Sequence, residues 1–164
     1  MILERLQEKF APEILSCHQD LGDLTIVVKK DRLHDILESL KTDPDLAFEM
    51  LMDVCGADYL AFGEAAEKPR FEVVYHLYSL SKNHRLRLRV KVPEDDMKVP
   101  TAIDLWKSAD WHEREAHDLF GLEFVGHPNL KRLLLFEGFE GHPLRKDYPM
   151  EKRQKIPVPE EKLK

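Results

Sequence analysis

The sequence predicts an α/β chain of the α+β type: antiparallel strands and amphipathic helices in one domain, continued by an extended proline-rich C-terminal arm. Three observations carry this reading. Residues 85–92 alternate strictly as Arg85, Leu86, Arg87, Leu88, Arg89, Val90, Lys91, Val92, the period of a strand with one face on a core. Elsewhere apolar residues recur at helical spacing. Six of the ten prolines (Pro100, Pro128, Pro143, Pro149, Pro157 and Pro159) fall in the last part of the chain. The division that follows is a domain over residues 1–125 and an extended segment over 126–164.

Taken in order, Leu3, Leu6 and Phe10 place a helix over residues 2–10, ended by Pro12. Residues 24–28 (LTIVV) are rich in β-branched side chains and read as a strand. Asp31 reads as the N-cap of a helix presenting Leu33, Ile36, Leu37 and Leu40 and stopping before Pro44. Residues 45–60 read as a short helix followed by a strand or turn around Gly56, and residues 64–69 as a loop. Residues 71–79 and 85–92 form a hairpin closing near residues 79–84. Its register follows from burial. Pairing Leu86 with Leu77, Leu88 with Tyr75, Val90 with Val73 and Lys91 with Glu72 keeps arginines off the core, and a shift of one residue buries them. Residues 101–106 and 110–120 read as two helices, the second halted at Gly121.

Composition narrows the function. The chain has 164 residues, 43% hydrophobic and 34% charged, with a net charge of −6. An acidic chain lacks the basic footprint of a duplex-binding protein. Cys17 and Cys55 are isolated, which disfavours a disulfide framework and excludes a four-cysteine iron–sulfur cluster. The N-terminal stretch MILERLQEKF lacks the apolar core of a signal peptide, and apolar runs end at about four residues where a membrane span needs about 20. The expectation is a soluble protein that meets membranes only through a partner.

The chemical motifs are mostly absences. His112-Glu113 with His117 resembles the helical zinc-protease motif, but histidines five apart on a helix point roughly 140° apart. They read as surface or interface polar residues. His127 and His142 each stand between a glycine and a proline, so each triplet fixes a turn. Their imidazoles read either as satisfying local carbonyls or as anchoring a partner. Glu113, Arg114, Glu115 and Asp118 form a charged run that reads as a solvated face or, given a pocket, as acid–base groups. An Arg114–Asp118 pair is sterically allowed. No phosphate-binding loop, dinucleotide-binding loop or nucleophile elbow is present. No catalytic, cofactor-binding or metal-ligating residue is expected on this chain.

Residues 109–149, taken together, are more specific than any of their pieces. Glu113, Arg114, Glu115, Asp118, Leu119, Phe120, Gly121, Leu122, Phe124, Gly126, His127 and Pro128 match an E-R-E-x-x-D-L-F-G-[IL]-x-F-x-G-H-P element. Gly141, His142, Pro143, Leu144, Arg145, Lys146, Asp147, Tyr148 and Pro149 match G-H-P-L-R-K-D-[YF]-P. Both elements resemble those of the C-type, 30 kDa-type subunit family of NADH-quinone oxidoreductase, respiratory complex I. Two departures stand out: His117 where that family usually has an aromatic residue, and Phe139 where it often has tryptophan.

The resemblance implies a mainly antiparallel sheet backed by helices, in the peripheral arm on the cytoplasmic side of the inner membrane. It implies a scaffold without a redox centre, with FMN, Fe–S clusters and quinone held by partner subunits. The implied partners are the D-type subunit, hydrogenase-large-subunit-like and beside the quinone site, and the B- and I-type subunits. The matched residues are then expected at the interface, with helix 110–120 and both Gly-His-Pro turns facing the D-type subunit. The arm from Leu144 would lie along that partner, and Arg145, Lys146 and Asp147 would make charge-assisted contacts to it. Related subunits of membrane-bound hydrogenases, formate hydrogenlyases and deazaflavin-type dehydrogenases are the nearest alternative, and a free-standing hydrolase or a general adaptor the more distant ones.

Overall fold

The computed structural model describes residues 2–60 and 69–156. Five strands, β1 (Ile14–Asp20), β2 (Asp23–Val28), β3 (Met50–Asp58), β4 (Phe71–Ser79) and β5 (His84–Val92), form one sheet in the order β1-β2-β5-β4-β3. All neighbours are antiparallel except β2 and β5. Helices α1 (Ile2–Phe10), α2 (Leu33–Thr42) and α3 (Ala109–Phe120) back the sheet. A parallel pair, β6 (Lys98–Pro100) and β7 (Glu123–Val125), closes the region around α3. Residues 126–156 contain neither helix nor strand. The loop expected at 64–69 falls outside the described residues except for Pro69, as does the arm beyond residue 156.

Alternation in β4 and β5 sets the two faces of the sheet. Val73, Tyr75, Leu77, Leu86, Leu88 and Val90 all point to one core, which α1 enters with Leu6 and Phe10 and α2 with Leu33, Ile36, Leu37 and Leu40. Each such buried aliphatic side chain contributes about 1.5–3 kcal/mol. The hairpin register is the one burial demands: Leu86 with Leu77, Leu88 with Tyr75, Val90 with Val73, Lys91 with Glu72. On the opposite face Glu72 is fully buried, and Arg89 reaches it at 2.7 and 3.0 Å. Lys91 closes on the same carboxylate at 2.5 Å. The cationic stripe is thus partly neutralised by one buried anion.

Three local expectations need correction, and one strand is unanticipated. Arg32, not Asp31, precedes α2, and no side chain caps it. The short helix expected after residue 45 is a turn, in which the Leu46 and Ala47 N–H groups both donate to the Asp43 carbonyl at 3.0 and 2.8 Å. The helix expected over 101–106 makes a single turn. Thr101 N–H is drawn away to the Val125 carbonyl (3.0 Å), and the Trp106 indole is pinned to the Phe48 and Glu49 carbonyls. Finally, β1 leaves no mark in the sequence pattern: every residue after Ile14 is exposed, so this edge strand carries no hydrophobic alternation. Its link to β2 is the two-residue turn Leu21-Gly22, both at positive φ (51° and 92°).

Removing one partner from a buried ion cluster leaves the others uncompensated. Glu72→Ala is expected to lower unfolding free energy by about 3 kcal/mol, read from urea melts. A loss below about 1 kcal/mol would mean that Arg89 and Lys91 are solvated rather than held.

Candidate partner-docking surface

Helix α3 carries most of the first motif, and its last turn explains why glycine follows. Gly121 sits at φ 77°, and its N–H closes on the His117 carbonyl at 2.8 Å. A Cβ there would lie 2.5 Å from Arg145 Nη2 and 2.7 Å from His142 Nε2. Both the backbone and the packing therefore require glycine. Gly56 on β3 is required by packing alone, since a Cβ would meet the Phe120 ring at 2.6 Å.

Of the three acids that read as a solvated run, Glu113 and Asp118 are buried and Glu115 is exposed. Asp118 is fully enclosed. Its Oδ2 accepts the backbone N–H groups of Leu133, Leu134 and Leu135 at 3.0, 2.8 and 2.8 Å, and its Oδ1 accepts Arg132 at 2.7 Å. Burial alone would raise the Asp118 pKa, but these donors outweigh it and hold the carboxyl below its ordinary value. The allowed Arg114–Asp118 pair does not form. Arg114 instead donates to the Lys131 carbonyl at 3.2 Å and lies over the Trp111 ring.

Glu113 occupies a drier site. The Ala102 N–H donates to its Oε1 at 2.7 Å and the Thr101 hydroxyl to its Oε2 at 2.5 Å. Burial dominates here and pushes the carboxyl up to about 7.

Both Gly-His-Pro histidines face their own chain. His127 Nδ1 accepts the Asn129 N–H at 3.1 Å, and its Nε2 lies 3.2 Å from Asp110 Oδ1. His142 Nδ1 meets the Asp118 carbonyl at 2.9 Å. Burial, together with Arg145, Arg132 and His117 nearby, pushes the His142 pKa down against that bond. His117 Nδ1 meets the Leu122 carbonyl at 2.7 Å, while His112 lies 3.1 Å from Asp53.

The second motif is fastened the same way. Leu144 N–H donates to the Leu119 carbonyl at 3.1 Å and Arg145 Nε to the Phe120 carbonyl at 2.6 Å. Lys146 N–H reaches the buried Asp58 at 2.8 Å. Asp147 pairs with Arg70 at 2.9 Å, and Arg70 grips Asp58 at 2.9 and 2.7 Å. Tyr148 stacks on Phe139 with ring centres 6.1 Å apart. Arg145, Asp147 and the Lys146 backbone thus make contacts within this chain, while the Lys146 and Asp147 side chains remain exposed.

Glu115, Gly126, Pro128, Gly141, Leu144, Lys146, Asp147 and Pro149 are exposed, with Arg114 and Pro143 half-buried. Trp111 is 60% exposed, Leu134 61% and Met150 fully so. Between β3 and α3 a groove of about 310 Å³ has Leu119, Phe120 and Leu144 on its apolar side and Asp53, Cys55, His112 and Glu115 on its polar side. Sequence reasoning missed Asp58, Arg70 and Arg132, which hold the segment, because nothing local marks a contact spanning, for Lys146 and Asp58, 88 residues. Trp111 is legible as an exposed aromatic only once the buried side of α3 is known.

Two outcomes test this geometry. Asp118→Asn is expected to free residues 132–135 and to speed tryptic cleavage after Arg132. Unchanged cleavage would show that the carboxylate does not anchor them. Glu113 titrates in the fold near 7 against an ordinary 4.5, so the fold holds a proton that the unfolded chain releases. Its contribution is complete below pH 4.5 and disappears as pH rises through 7, a change of about 3 kcal/mol. Glu113→Gln is expected to flatten the stability profile across that window, measured by denaturant melts at stepped pH.

The comparisons with known proteins agree with this architecture. Residues 26–154 match the family model described as "Respiratory-chain NADH dehydrogenase, 30 Kd subunit". The C-type subunit of the NADH-quinone oxidoreductase of Burkholderia multivorans is 48% identical over 147 residues, covering 88% of this chain and 74% of that protein. Its counterpart in Burkholderia vietnamiensis is 47% identical over the same share. Among solved structures, a trypsin-resistant fragment of Nqo5 aligns with TM-score 0.69 and 39% identity, covering 79% of this chain and all of the fragment. A chain of the archaeal membrane-bound sulfane sulfur reductase aligns with TM-score 0.73 and 26% identity, covering 92% and 85%. Sequence and fold together place this chain in the family of the 30 Kd subunit of respiratory-chain NADH dehydrogenase, among the C-type subunits of NADH-quinone oxidoreductase.

Proposed function

We propose that this protein is a scaffold without a redox centre in the peripheral arm of a proton-pumping NADH:quinone oxidoreductase. It packs on the D-type subunit near the quinone site and contacts the B- and I-type subunits. FMN, Fe–S clusters and quinone belong to those partners, and the chain has no catalytic site of its own. Among the described residues no helix is long and apolar enough to cross a membrane, so attachment to the cytoplasmic face runs through the complex. A reading as the equivalent subunit of another respiratory membrane complex draws on the sulfane sulfur reductase fold. The much higher identity to the C-type subunits favours the quinone-reducing assembly.

One observation carries the docking part of this reading. The polar groups of Asp118, Arg132, His142 and Arg145 are engaged within this chain, while Trp111, Leu134, Leu144 and Met150 stay in solvent. Exposed large apolar residues on a rigid frame are the usual composition of a protein interface core. The groove beside Leu144, apolar at Leu119 and Phe120 and polar at His112 and Glu115, offers a socket for a partner side chain.

Electron transfer supports a scaffold role physically. Its rate depends on fixed distances between centres, so a subunit that rigidifies its neighbours contributes to turnover without touching an electron.

The test separates folding from assembly. Trp111→Ala and Leu144→Glu alter exposed side chains and are expected to leave the melting temperature of the isolated chain unchanged. Recovery of the quinone-site partner on a tagged chain from solubilised membranes is expected to fall at least about tenfold, quantified by mass spectrometry. Full recovery with both variants would move the interface elsewhere.

A further inference from the structure

On the outer face of the sheet, at the margin of the β3–α3 groove, three metal-binding side chains converge. The ligand atoms of Asp53, Cys55 and His76 all lie within 4.8 Å of one another. Asp53 and His76 are direct cross-strand partners in the β3–β4 ladder, and Cys55 stands two residues further along β3 on the same face.

A backbone irregularity creates this arrangement. The β3–β4 register shifts between Leu51 and Asp53, which inserts Met52 as an extra residue. Without that bulge Asp53 would share the parity of Leu51 and point into the core. With it, Val54 fills the core position and Asp53 turns outward beside Cys55. Bulges commonly re-aim a side chain at a site.

The surroundings suit an ion. A cavity of about 360 Å³, bordered by Asp53, His76 and Met52, gives access from solvent. Burial and charge are the influences on the Cys55 thiol and the His76 ring, with no hydrogen bond to either among the described residues. Burial also favours the neutral imidazole of His76, the form with a lone pair to give. His112 of α3 approaches Asp53 at 3.1 Å and so orients the carboxylate from behind, as outer partners of metal ligands do. Arg87, the cross-strand partner of His76 on β5, donates to Thr25 at 3.1 Å and borders the same cavity, where its charge favours the Cys55 thiolate and the neutral His76 ring.

We propose that Asp53, Cys55 and His76 bind one borderline-soft divalent cation of the zinc class, clamping β3 to β4. One thiolate, one imidazole and one carboxylate fit that class. Calcium and magnesium require six or more oxygen ligands. Three protein ligands leave a fourth position, open to the cavity, for water. Binding transfers the Cys55 proton to solvent and forms the metal–thiolate bond. The cation is redox-inert, so the site takes no part in electron transfer, and it departs from the expectation of no metal ligand on this chain.

The purified full chain titrated with Co²⁺ as a spectroscopic probe tests the site. One equivalent is expected to bind with a near-ultraviolet thiolate-to-cobalt band and the intense visible bands of four-coordination, and Zn²⁺ to displace it. The thiolate band disappears in Cys55→Ser and persists in Cys17→Ser, while His76→Ala weakens binding at least about tenfold. If those variants do not fold, alkylation of the wild type decides: zinc is expected to protect Cys55 from iodoacetamide and leave Cys17 reactive. No saturable uptake, a thiolate band that survives Cys55→Ser, or unprotected Cys55 would each overturn the proposal.

Discussion

The carboxylate of Asp118 organises the C-terminal third of the structure. Residues 126–156 have no ladder or helix to satisfy their backbone, and buried amide groups left unpaired are costly. Three consecutive N–H groups, those of Leu133, Leu134 and Leu135, converge on one oxygen of Asp118, and Arg132 takes the other. The Asp118 main-chain carbonyl then receives the His142 ring, which brings in the second Gly-His-Pro turn. A second buried carboxylate, Asp58 at the end of β3, repeats the device by holding Arg70 and the Lys146 N–H. Between them these two acids convert an arm without secondary structure into part of the domain.

That conversion changes how a partner meets the chain. A loose arm that orders on binding loses conformational entropy at that moment, and affinity falls accordingly. Here the ordering cost is met in folding. Among the signature's charged side chains, Asp118, Arg145 and Asp147 fasten the segment to the domain, while Glu115 and Lys146 stay exposed, as do Trp111, Leu134 and Leu144. A motif read as an interface in sequence also fastens the chain's own C-terminal segment.

Much of the fold was legible where burial leaves a periodic trace. The hairpin register followed from keeping arginines off the core, and α3 with its glycine stop followed from apolar spacing and the αL requirement of Gly121. What escaped has no local trace. Strand β1 is exposed on both faces, so nothing alternates. Strands β6 and β7 are three residues each and exist through one another. Glu113 and Asp118 looked solvated because helical spacing does not reveal that two loops, 101–102 and 132–135, will cover them. The site suffered more than the fold, since its determinants pair residues such as Arg70 and Asp147 that are distant in sequence.

Buried acids are a poor means of raising stability, because desolvation offsets most of what their partners contribute. Glu113 shows the balance tipping: two donors do not compensate its burial, and its carboxyl titrates near neutrality. What such groups supply instead is directionality. Thr101 and Ala102 can satisfy Glu113 in one arrangement, which fixes the turn after β6 against α3, whereas apolar packing tolerates many. Glu72 does the same for Arg89 and Lys91 on the outer face of the sheet. For the proposed scaffold role, one well-defined geometry matters more than additional stability. The chain's buried carboxylates, placed on β3, β4 and twice on α3, impose that geometry where helices, sheet and C-terminal segment meet.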